Sequence, residues 1–90
     1  MNKKMMDMLV CPFDRQFPLE IYEVKSKDEA VLEGAIYCGK CGRFYPIIEG
    51  IPIMLYPDEL RDKKHDIAFL EQNKEALPQN IIKHAKPWHL

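Results

Sequence analysis

The chain has little cysteine, no long apolar run and no excess of charge of either sign. Each shortage removes a class of protein. Three cysteines in 90 residues is an odd and small number, which does not suit the paired framework of a disulfide-rich secreted domain. The N-terminus carries Lys3 and Lys4, but the stretch Met5 to Val10 behind them is short and interrupted by Asp7. Neither a signal peptide nor a membrane span is therefore expected, and a cytoplasmic location is. Formal net charge is −1, and residues 1–57 carry seven basic and eight acidic side chains against six of each in 58–90. A nucleic-acid binder normally shows a basic stripe, and none is visible. Also missing are G-x-G-x-x-G, the P-loop, G-x-S-x-G, H-E-x-x-H and any acidic pair spaced for acid–base work. No catalytic residue is expected, and the chain does not read as an enzyme.

At this length the chain makes one small domain with a marginal core, for which a staple or partner is often needed. The most informative stretch is Phe44 to Leu55. Two apolar segments, Phe44 to Ile48 and Ile51 to Leu55, are separated only by Glu49-Gly50. An acidic-Gly pair between β-rich runs signals a tight hairpin, because Gly accepts positive φ. Pro46 and Pro52 cannot donate to a ladder, which places them at strand starts, bulges or an edge. An apolar strand carrying Pro near an edge is expected to await a partner.

Upstream, Met5 to Val10 suits one helical turn. Phe17 to Val24 and Ala30 to Tyr37 read as strands, with Gly34 marking a bulge in the second. Downstream the composition changes. Tyr56-Pro57-Asp58-Glu59 suits a helix start with Asp58 as N-cap, and a helix is expected from about Glu59 to Ala76, ended by Pro78. A shorter apolar turn follows around Ile81, Ile82 and Ala85. Trp88 is expected to pack back on the domain. The fold expected is α+β. A small antiparallel zinc-ribbon-like β unit (residues 1–57) carries a short N-terminal helical turn and a helical C-terminal extension (58–90) packed on or beside it.

Zinc ribbons use two knuckles, each placing two ligands about three residues apart. Cys38-x-x-Cys41 completes one, with Gly39 and Gly42 giving the backbone freedom it needs. Cys11-Pro12-Phe13-Asp14 has the same spacing, with Asp14 where a second cysteine would stand. Two readings are open: Cys11, Asp14, Cys38 and Cys41 hold one structural zinc, or the site has decayed and packing alone holds the unit. His65, His84 and His89 lie in the polar helix and tail and read as surface residues. A redox role for Cys38 and Cys41 would call for a helix after the first thiol, whereas Gly42 and a strand follow here.

Leu9-Val10-Cys11-Pro12, Cys38-x-x-Cys41-Gly42, Tyr45-Pro46-Ile47 and Gly50-Ile51-Pro52-Ile53-Met54-Leu55, in this order and at this spacing, resemble the methyltransferase-activator ("Trm one-twelve") family over roughly residues 5–60. The resemblance implies a non-catalytic subunit that binds, stabilises and activates S-adenosylmethionine-dependent methyltransferases acting on tRNA, rRNA or a translation release factor. S-adenosylmethionine would then be held only by the partner enzyme, in a heterodimer. Ile51, Pro52, Ile53, Met54 and Leu55 are the implied partner-binding positions, and Cys11, Cys38 and Cys41 match metal ligands. Asp14 departs from the family's second cysteine, and the chain beyond about Arg61 extends past the short bacterial relatives. The alternative is a ribbon module that binds nucleic acid or another protein without a methyltransferase role.

Overall fold

The computed structural model describes residues 2, 4–5, 8–55 and 58–90. Four strands form one antiparallel sheet in the order β1 (Glu20–Lys27), β2 (Ala30–Tyr37), β3 (Phe44–Ile48) and β4 (Ile51–Pro52), followed by helices α1 (Lys63–Gln72) and α2 (Gln79–His84). The α+β arrangement is the expected one. Of the N-terminal turn, Met8 donates its N–H to the Met5 carbonyl, while Met6 and Asp7 lie outside the described residues. So do Tyr56 and Pro57.

Several boundaries differ from those read off the sequence. The first strand starts at Glu20 rather than Phe17 and runs on to Lys27. Its register with β2 shifts twice, Val24 being the extra residue in β1 and Leu32 the extra residue in β2, so neither bulge falls at Gly34 itself. Gly34 has another purpose: a Cβ there would sit 2.5 Å from the Tyr22 carbonyl oxygen, so only glycine lets β1 come this close. Glu49 (φ 52°) and Gly50 (φ 79°) both adopt positive φ, the two-residue turn that matches strand twist. Pro46 lies in an inner strand, not at an edge. Residues alternate in the direction of their main-chain groups, and Pro46 turns toward β4, where its carbonyl accepts from Ile53 N–H at 2.8 Å. Its missing donor therefore costs nothing on the β2 ladder and falls where β4 ends.

Both faces of the sheet are buried. One carries Cys11, Leu19, Val31, Ile36, Cys38, Tyr45 and Ile47; the other packs Ala35 and Phe44 against Phe69, Leu70, Leu77, Ile81, Ile82 and Ala85. The second cluster is made largely by the C-terminal helices. The expected single helix from Glu59 is instead a 3-10 turn (Asp58–Leu60) and then α1, whose N-cap is Asp62, accepting from His65 N–H at 3.1 Å. Pro78 does not end α1; it stands at the N-cap of α2.

The polar run Arg61 to Asp66 supplies the main tie between helices and sheet. Arg61 and Asp66 are both buried. Arg61 Nε donates to Asp66 Oδ2 at 3.1 Å, and Nη2 lies 2.9 Å from the same oxygen, off the hydrogen-bond direction. Nη1 donates to the Phe44 carbonyl, and Trp88 Nε1 donates to Asp66 Oδ2. Trp88 thus packs on the domain, as expected. Removing one member of a buried pair strands the other charge, so Asp66→Ala should cost about 3–5 kcal/mol. Urea unfolding followed by Trp88 emission checks this. Part of the loss should return in the Arg61→Met, Asp66→Leu double variant, which leaves no buried charge but takes the partners from the Phe44 carbonyl and Trp88 Nε1.

Candidate metal centre and open sheet edge

Two loops of the same construction bring the cysteines together. In the first, the Cys11 carbonyl accepts from Arg15 N–H (2.7 Å) and Cys11 N–H donates to the Gln16 carbonyl (3.1 Å). In the second, the Cys38 carbonyl accepts from Gly42 N–H (2.8 Å) and Cys38 N–H donates to the Arg43 carbonyl (2.9 Å). The residue in the left-handed region is Arg15 in one (φ 62°) and Gly42 in the other (φ 79°). Position by position, Asp14 is therefore the counterpart of Cys41. It ends a genuine knuckle in a loop that has kept its shape.

One ligand atom from each of Cys11, Asp14, Cys38 and Cys41 lies within 4.8 Å of all the others. They are close enough to hold a metal ion. Cys11 Sγ and Cys41 Sγ are 3.7 Å apart, and Cys38 Sγ is 3.6 Å from both Asp14 oxygens. Around a tetrahedral zinc, ordinary bond lengths give sulfur–sulfur edges of about 3.8 Å and sulfur–oxygen edges of about 3.5 Å. The donor set fits such an ion without rearrangement of these pairs. Burial pushes the Cys38 thiol up to about 12. Burial also acts to raise the Asp14 carboxyl, but the Gln16 N–H and the three thiols outweigh it and hold the group below its ordinary value.

No role at the metal site was read from the sequence for two residues beside this cluster. Tyr45, fully buried, places its hydroxyl 3.3 Å from Cys11 Sγ. Its sequence signals are its place in the Tyr45-Pro46-Ile47 run and its alternation with Ile47 on the core-facing side of β3. Arg43 lies over the Phe13 ring, 3.6 Å from its centroid, and forms a two-pronged pair with Asp58 (3.1 and 2.9 Å). That pair holds the Asp58 carboxyl below its usual range. It also ties the second knuckle to the turn that opens the C-terminal segment.

The five positions read as partner-binding lie on and just beyond β4. Ile51 is 60% exposed and Leu55 40%. Pro52, Ile53 and Met54 are half-buried, and Met54 packs against the cluster containing the cysteines. Ile53 N–H is already used by Pro46. By strand alternation, Pro52 turns its carbonyl outward and Met54 its N–H and carbonyl. The three histidines are exposed, and none belongs to the metal cluster.

The sequence pattern of the Trm112p-like protein family matches residues 2–50. The chain belongs to that family. The chain is also similar in structure to the Haloferax volcanii Trm112 methyltransferase activator, solved in complex with a candidate methyltransferase. The two are 33% identical with a TM-score of 0.63, over 68% of this chain and all of that one. No curated protein matches the chain. About a third of the chain thus has no counterpart in the Haloferax protein, and the helices lie beyond the family pattern. Among the described residues no helix is long and apolar enough to cross a membrane.

Proposed function

We propose that this protein is a non-catalytic subunit that binds, stabilises and activates a methyltransferase. The enzyme would use S-adenosylmethionine and modify tRNA, rRNA or a translation release factor. The observation that carries the reading is an open apolar strand edge on a chain of this family. The sheet has two edges, and they are built differently. At the β1 edge a bulge breaks the register, and exposed Glu23, Lys25 and Lys27 line the strand. Bulges and charges of this kind discourage pairing. β4 and the segment just beyond it carry Ile51, Ile53, Met54 and Leu55 with no charge among them. Strand addition there would draw affinity from main-chain hydrogen bonds and selectivity from alternate side chains. The outward-facing groups of Pro52 and Met54 are the ones available for it.

The metal centre would be structural. Cys11, Asp14, Cys38 and Cys41 would hold one zinc, whose chemistry here is to crosslink the two knuckles. Four protein ligands leave no position for water or substrate. Met54 packs against the same cluster, so the ion would also steady the segment leading out of β4.

Co-expression with the methyltransferases of the source genome tests the partner. Because Met54 contributes to the core, the edge is best probed at Ile51 and Leu55. The Ile51→Asp, Leu55→Asp protein should fold as the wild type does and fail to co-purify with an enzyme that the wild type retains. A complex formed equally well by both would remove β4 from the interface. For the metal, purified protein should carry one zinc per chain and lose stability on chelation. Asp14→Ala should weaken zinc binding by at least about tenfold, while Asp14→Cys should bind more tightly than wild type, as read by competition with a chromophoric chelator.

A further inference from the structure

The four ligands leave an electrostatic remainder. Three thiolates and a carboxylate on a divalent ion sum to a net charge of −2, held beside fully buried Cys11 and Cys38. Such a centre needs donors around its sulfurs. Cys38 takes main-chain N–H groups from Cys41 and Lys40, and Arg43 reaches the Cys41 side. Cys11 shares its core cluster with the apolar Leu9, Leu19 and Ile36, and the side-chain hydroxyl that reaches its sulfur is that of Tyr45.

We propose that Tyr45 is a positioning residue of the metal centre, donating its hydroxyl hydrogen bond to the Cys11 sulfur. The inference rests on the four-ligand reading above. Tyr45 is fully buried, and among the described residues its hydroxyl has no other hydrogen-bond partner. Buried hydroxyls are normally paired, and a thiolate bound to metal carries no proton. The direction is then fixed: Tyr45 donates and Cys11 accepts. The bond draws charge from that sulfur and holds its lone pairs in place, which lowers its reactivity toward electrophiles. β3 is set so that Tyr45 faces the knuckle while the next residue, Pro46, faces β4 through its bond from Ile53. One strand therefore links the metal centre to the open edge.

The test compares wild type, Tyr45→Phe and Tyr22→Phe. Tyr22 donates to Glu20 at 2.7 Å and packs on the opposite face, so its variant controls for loss of a hydroxyl. Tyr45→Phe should weaken zinc binding about tenfold or more, shift the sulfur-to-metal absorption band of the cobalt form, and speed alkylation of Cys11 in the zinc-loaded protein. Tyr22→Phe should leave all three unchanged. Lower affinity with the cobalt band and alkylation rate unmoved would mean that Tyr45 only packs, and would overturn the proposal; so would a Tyr45→Phe protein equal to wild type. If Tyr45→Phe fails to fold, cadmium-113-loaded wild type decides. A slowly exchanging phenolic proton coupled to the metal supports the bond, and its absence refutes it. A wild type that takes up no metal removes the four-ligand reading and this inference together.

Discussion

The main-chain groups of Phe44 face the β4 side of β3, but β4 is too short to reach them. Its pairing covers only Ile47 and Ile48, with one further bond from Ile53 to Pro46. Buried main-chain donors and acceptors must be paired, and the C-terminal segment supplies the partners. Phe44 N–H donates to the Lys86 carbonyl at 3.0 Å, and the Phe44 carbonyl accepts from Arg61 Nη1. Lys86 N–H returns to the Gly42 carbonyl, beside the second knuckle. The helices are thus fastened to the point where the metal loop becomes a strand. The Phe44 ring, stacked at 6.4 Å on Phe69, carries the same connection into the core.

This division explains which edge stays open. The first part of β3 is closed by Arg61 and Lys86, the last part by β4, and the far side of the sheet ends in the bulged, charged β1. What remains is the outer side of β4 with its apolar continuation to Leu55. One face of the sheet is taken by the knuckles and the other by α1 and α2. A partner that adds a strand therefore meets a platform supported from both sides. The C-terminal helices, which lie beyond the family pattern, supply one of those supports from within the chain.

Much of this was legible in the sequence. The hairpin followed from Glu49-Gly50 between apolar runs, since positive φ at both positions is what a two-residue turn requires. The knuckles followed from ligand spacing, and the equivalence of Asp14 and Cys41 is visible once Arg15 and Gly42 are seen to share one conformation. What sequence reading missed has a common cause. Arg61 and Asp66 look like solvated helix residues because polarity predicts exposure unless a partner is known. Their partners, Trp88 and the Phe44 carbonyl, lie 22 and 17 residues away in the chain. Gly34 was taken for a bulge because a close approach to Tyr22 leaves no mark in local pattern. Pro46 was expected at a strand start, a bulge or an edge because its direction depends on register, which no residue type encodes.

Hydrogen exchange of the protein alone and bound to a co-purified methyltransferase tests the central claim most directly. If β4 receives the enzyme's strand, added protection should concentrate at Ile51–Leu55, with the Met54 amide slowed and the peptides of β1 and α2 unchanged. Protection along β1 or over the helices, with Ile51–Leu55 exchanging as in the free chain, would contradict it.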